Sequence, residues 1–163
     1  MSIAVLVIGE SGSGKTTSMR NLDPDQTLVL QAIRKPMPFK GGFKHYDREK
    51  CPTGNIFVSD NPQTIIGAMQ KTAKPIIVID DFQYILANEF MRRSHETGFG
   101  KFTDIGRNAW DILTAASGLI DTKRVYILAH SEQTESGRVK CKTIGKMLDE
   151  KITLEGMLTI VLR

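Results

Sequence analysis

The sequence predicts an α/β domain, a mostly parallel sheet with helices on both faces, and three observations predict it. Short apolar runs recur without polar alternation at residues 3–8, 27–30, 55–58, 75–80 and 124–129, as strands covered on both sides do. Stretches of helical spacing separate several of them: 62 to about 72, 82 to about 93, and 108 to about 120. The first run also passes through a glycine-rich octet into a helix start, the order of a phosphate-binding turn.

Taken in order, residues 3–8 are all apolar and read as a buried strand. From Lys15 to about Arg20 the chain reads as a helix. Residues 27–30 form a short second strand. Beyond it Pro36, Pro38, Gly41 and Gly42 exclude regular structure and mark a mobile connection. After the third strand, Pro62 is suited to a first helical turn. Residues 75–80 end their apolar run on an acid. The segment 94–107 is glycine-rich and charged and reads as a loop. The helix after it, from about Asn108, turns Trp110, Leu113, Ala116 and Leu119 toward the core. Residues 133–142 are polar with a turn at Gly137, 146–151 suggest a short helix, and 157–162 a last strand.

The bulk numbers bound the class. At 163 residues the chain is one domain, 1–163, long enough for a full core. It stops inside an apolar run, Ile160 to Leu162, which suggests a missing C-terminal tail. No apolar run approaches the ~20 residues of a membrane span, so no membrane partner is expected. A strand that begins at Ile3 leaves no room for a leader peptide. Cys51 and Cys141 have no partner motif, and neither a disulfide framework nor a zinc site is suggested. A cytoplasmic location is expected. The net charge of +4 is compatible with nucleic acid without requiring it. Cations gather at Arg34, Lys35, Lys40, Lys44, Arg48 and Lys50, and again at Arg138, Lys140, Lys142 and Lys146.

The octet is Gly9-Glu10-Ser11-Gly12-Ser13-Gly14-Lys15-Thr16, followed by Thr17, and it fits G-x-x-x-x-G-K-[ST] at every defined position. Its glycines let backbone N–H groups close on phosphate oxygens, and a helix N-terminus adds partial positive charge. Lys15 is expected on the β- and γ-phosphates and the Thr16 hydroxyl on Mg²⁺. Asp80, closing its strand, is the expected metal-side acid. Asp81 after it either orients the attacking water or caps the next helix. His130 and Ser131 end the next apolar strand, where either could sense the γ-phosphate. His45 and His95 lack ligand spacing and are assigned no metal.

With these residues, the chain resembles the phage-type RecA-like ATPases, short recombination proteins that keep the RecA core. The resemblance rests on the octet, on residues 76–80, on Tyr126-Ile127-Leu128-Ala129-His130-Ser131 and, more weakly, on residues 142–146. It implies a P-loop NTPase of RecA-like core type, with ATP and Mg²⁺ as cofactors. It also implies single-stranded DNA, further copies of the chain and a single-strand-binding protein as partners, and the cytoplasm of a bacterial host. DNA contacts would fall on 133–142, with Arg138 and Lys140, and on 94–107, where Lys101 and Arg107 accompany Phe99 and Phe102. Lys142 and Lys146 lie where RecA-like assemblies offer lysines to a neighbour's site. The chain departs from the pattern at the end of its second strand, where Leu30-Gln31-Ala32 carries no carboxylate. Two rival readings stay open. One is a nucleotide-gated assembly module (a helicase loader or packaging accessory), which that absence favours. The other is a small-molecule kinase, which would use the same octet with residues 94–107 as a lid over the phosphates.

Overall fold

A computed structural model describes residues 1–145 and 152–163. Among these, seven strands make one sheet: β1 Ile3–Gly9, β2 Thr27–Gln31, β3 Ile56–Val58, β4 Ile76–Asp80, β5 Arg124–Gln133, β6 Val139–Cys141 and β7 Ile160–Leu162. The helices are α1 Lys15–Ser18, α2 Pro62–Lys71, α3 Phe82–Arg92 and α4 Gly100–Gly118. The sheet runs β3-β2-β4-β5-β1-β7 with every neighbouring pair parallel. β6 instead pairs antiparallel with the C-terminal end of β5. The expected α/β, mostly parallel architecture is therefore present.

Alternation along the strands sorts side chains onto two faces. One face carries Leu6, Ile8, Leu30, Ile77, Ile79, Ile127 and Ala129, and α2, α3 and α4 close over it with Ile65, Met69, Phe82, Ile85, Leu86, Ile105, Ile112 and Leu113. Fully burying each of the larger side chains contributes roughly 1.5–3 kcal/mol. The other face carries Val7, Val29, Val78, Tyr126 and Leu128. Its cover is thin: Met19, just past α1, with Leu22, Met37, Phe39 and Phe43. Helices do lie on both faces, but unequally, and the segment after β2 serves as part of the second layer. That segment lies over the face as a strap, and its far end is joined by backbone bonds from Tyr46 to Ile56 and from Asn55 to Lys44.

Local signals explain the element starts. The Asn61 side chain accepts from the Thr64 N–H at 2.9 Å, and Pro62 opens α2. Two expectations fail further on. Residues 94–107 are not one loop, because α4 begins at Gly100. Gly98, Gly100 and an uncapped start hide it, but Ile105, Ala109, Ile112, Leu113 and Ala116 keep one apolar face from its second turn onward. Arg93 ties the end of α3 to this start through Glu89, Glu96 and Asp104. Trp110 does not face the core; it is 40% exposed, since the buried stripe runs through Ala109 and Leu113. The polar stretch 133–142 is the turn and second strand of a hairpin, with Ser131 opposite Cys141. The last strand is shorter than expected, with a 3₁₀ turn at Leu154–Met157 before β7. The suggested helix at 146–151 lies outside the described residues.

Candidate functional site

The C-terminal ends of β1, β4 and β5 lie side by side, with β5 in the middle. Register sets Gly9 beside His130 and Gln31 beside Asp80. The chain leaves β1 toward the thin face and β4 toward the helical face, so a crevice opens between them, the usual ligand position in a parallel sheet. A cavity of about 330 Å³ occupies it, lined by Ser11 to Thr17, Lys35, Pro36, Pro38, Asp81 and His130.

The loop from Gly9 to Gly14 builds one wall. Gly12 and Gly14 stand at φ of 78° and 90°, a region open to glycine at little cost. A Cβ on Gly9 would come within 2.7 Å of Ser13 Oγ. Lys15 folds back inside this loop, its Nζ donating to Gly9 O at 2.8 Å and Glu10 O at 2.7 Å. Burial pulls the Lys15 pKa down, and the charges of Asp81 and Asp80 oppose that. The helix behind the loop is only four residues long before it tightens into a 3₁₀ turn. The loop's own N–H groups and Lys15 therefore carry more of any anion binding than a helix dipole does.

Beneath the loop the Thr16 hydroxyl donates to Asp80 Oδ1 at 3.0 Å. The other carboxylate oxygen, Oδ2, is buried without a hydrogen-bond partner. Burial, and then the neighbouring Asp81 charge, raise the Asp80 pKa against the pull of Lys35, Thr16 and Gln31. A buried acceptor with no donor is rare and costly. It fits a water ligand of Mg²⁺, which favours oxygen ligands and keeps part of its water shell. The residues present thus fit the metal: Thr16 to ligate it and Asp80 to hold it through water. Among the described residues no cluster of three His, Cys, Asp or Glu offers another metal site, and an ion shared with phosphates requires none.

Asp81 occupies the N-cap position of α3, but its side chain makes no capping bond. It pairs with the Lys35 ammonium instead, and its Oδ1 lies 3.9 Å from His130 Nε2. Of the two sequence readings for Asp81, a side-chain cap is not what the carboxylate does. The His130 backbone N–H donates to Gln83 Oε1 at 3.1 Å, and its ring meets Tyr84 edge to face. Burial, and then the Lys15 charge, hold the imidazole below its ordinary pKa, against the pull of Asp81. Gln31, at the position where the resemblance expects a carboxylate, is buried with its Oε1 3.0 Å from His45 Nε2.

Other expected residues fall outside this cavity or into different surroundings. Ser131 does not line it; alternation turns it away from the face His130 presents. Lys101 and Arg107 stand on α4 and not in a loop. Lys101 Nζ donates to Arg93 O and Glu96 O and lies over the Phe90 and Phe102 rings. Phe102 packs on Phe90, while Phe99 is 87% exposed. Arg107 is exposed beside Asp111. Arg138 is exposed at the hairpin, and Lys140 pairs with Glu132 at 3.3 Å. Lys142 lies near its own chain's His130, to which its backbone N–H donates. Lys146 lies outside the described residues.

Sequence reasoning missed Lys35 and Gln83. Lys35 reaches the site from the segment after β2 and was read only as one of a cationic cluster, and Gln83 stands in the first turn of α3, where its spacing marks no role. A scan against protein-family models finds no matching family, and a search of curated proteins finds no match.

Proposed function

We propose that this chain binds a nucleoside triphosphate with Mg²⁺, hydrolyses it, and does so in the service of single-stranded DNA. The observation that carries the reading is the Thr16–Asp80 pair beneath a complete phosphate loop, with Asp80 Oδ2 left unpartnered. Mg²⁺ would supply charge neutralisation at the β- and γ-phosphates. The loop N–H groups hold the phosphate chain, and Lys15 exchanges the carbonyls of Gly9 and Glu10 for phosphate oxygens. Water adds to the γ-phosphorus as the bond to the β–γ bridging oxygen breaks, giving the nucleoside diphosphate and inorganic phosphate. Asp81 and His130, which line the same cavity, would orient that water. ATP as the nucleotide and DNA as the polymer rest on the resemblance. The exposed Arg138 at the hairpin tip is the site's nearest support for the latter.

The test is ATP turnover by the purified protein with and without single-stranded DNA, with Lys15→Ala as the blank. Turnover that rises with DNA and vanishes in the variant is the expected result. Turnover indifferent to DNA sinks the polymer half of the reading. The assembly-module reading is favoured by one observation, the engagement of Asp81 with Lys35, which holds the water-orienting acid away from its task. Nucleotide-dependent association without turnover would decide for it. A kinase lid at 94–107 has less support, since α4 begins at Gly100.

A further inference from the structure

The cavity over the phosphate loop holds a cation that the loop motif does not supply. Lys35 follows β2 on the strap that covers the thin face of the sheet, and it lines the cavity together with Pro36 and Pro38. Each proline holds φ near −65°, and Met37 between them packs on the second core with Phe39 and Phe43. The lysine is thus presented from an anchored segment. Its side chain is 39% exposed, whereas that of its partner Asp81 is 9% exposed.

Asp81 is held in an unusual way. Its backbone stands at φ 60° and ψ 45°, and among the described residues it is the sole non-glycine with positive φ. Such conformations persist where the surroundings impose them, and they gather at functional sites. Here the surroundings include the Lys35 ion pair on one carboxylate oxygen and His130 Nε2 beyond the other. Lys15 and Lys35 face one cavity together with Asp81, and Asp80 lies behind it under the Thr16 hydroxyl. A polyphosphate entering it brings more negative charge than either carboxylate and competes for both lysines.

We propose that Lys35 is a phosphate-contacting residue that exchanges Asp81 for the terminal phosphate of a bound triphosphate. Asp81 is then released toward the water position beside His130 only when a triphosphate is in place. This rests on the nucleotide reading above and adds to it the regulation of that site. A buried carboxylate stripped of its cation is costly unless it gains another partner. Released Asp81 therefore takes up a water or the His130 ring, both on the reacting side of the cavity.

Calorimetric titration with Mg²⁺ and either ADP or a non-hydrolysable ATP analogue tests this in wild type, Lys35→Ala, Lys35→Arg, Asp81→Asn and Lys15→Ala. Loss of one charge-assisted contact predicts that Lys35→Ala weakens the triphosphate analogue by about tenfold or more. ADP should change by less than about threefold, on the same conversion of contact energy to affinity. Lys35→Arg should keep the preference for triphosphate. Asp81→Asn, which frees Lys35 in advance, should tighten the triphosphate analogue by a larger factor than ADP, a gain that misfolding cannot imitate. Equal effects of Lys35→Ala on both nucleotides, with binding still lost in Lys15→Ala, overturn the exchange and leave the nucleotide site standing. Absence of saturable binding in the wild type overturns both.

Discussion

At the scale of single residues, Asp80 sets function against stability. Its carboxylate is buried at 1% exposure with one oxygen unpartnered, so the charge that would hold a metal's water shell is a burden on the fold alone. Asp80→Asn is therefore expected to raise the nucleotide-free melting temperature at pH 7. A gain of about 1 kcal/mol would appear as roughly 2–4 °C in a chain of this size. If Mg²⁺ and ATP bind as proposed, they should raise the melting temperature of the wild type and not that of this variant. The pH dependence follows from a folded-state pKa raised above the unfolded value. Below the usual carboxylate pKa of about 3.9 both states are protonated and the penalty is absent. It develops as pH rises through the raised value, so the advantage of Asp80→Asn should fade on acidification. Melting curves across pH check both statements. Gly14→Ala carries a different cost. Nothing lies within 4 Å of its would-be Cβ, but φ is 90°, so the loss of about 1–2 kcal/mol comes from the backbone. Nucleotide affinity should fall as the loop changes shape, which titration against wild type would show.

At the scale of elements, the join between α3 and α4 shows how a helix start can be imposed from outside. The first turn of α4 has two glycines nearby and no side-chain cap, and its isolated tendency to be helical is weak. What holds it is Arg93 bridging Glu89, Glu96 and Asp104, with Lys101 donating back to Arg93 O and Glu96 O. Arg93→Gln should therefore speed amide hydrogen exchange across residues 100–104 while changing global stability by no more than about 1 kcal/mol, because the bridges are at the surface. Ile112→Ala, on the fully buried stripe of the same helix, should instead cost about 2–5 kcal/mol globally. Denaturant melts beside exchange rates separate the two cases. Unchanged exchange in Arg93→Gln would show that Ile105 and Ala109 alone fix the helix start.

At the scale of the whole molecule, any partner must be met by what the fold leaves exposed. Among the described residues no helix is long and apolar enough to cross a membrane. Arg138 projects from the β5–β6 hairpin into solvent, whereas Lys101 is engaged between α3 and α4. If single-stranded DNA binds here, Arg138→Ala should weaken it and flatten the dependence of log affinity on log salt by about 0.7 per lost phosphate contact. Lys101→Ala should lower the melting temperature more than it changes that slope. Salt titrations of labelled oligonucleotide binding distinguish the two, and a slope altered equally by both would place the α3–α4 join on the DNA as well. By itself the sequence determined the parallel α/β core, because buried strands must be apolar throughout. It also determined the strand–turn–helix order around the octet, because a glycine-rich turn between an apolar run and a helix start is written in consecutive residues. The place of Asp80 was legible as well, an acid closing an apolar run that ends as β4 in the sheet. The partner of Asp81, the start of α4 and the uneven cover of the sheet were decided only by the tertiary structure. Each depends on segments distant in sequence that meet without a shared periodicity. Lys35 in its strap and Asp81 at the end of β4 are 46 positions apart by their numbering (81 − 35), and only the packing of the strap across the sheet brings them together.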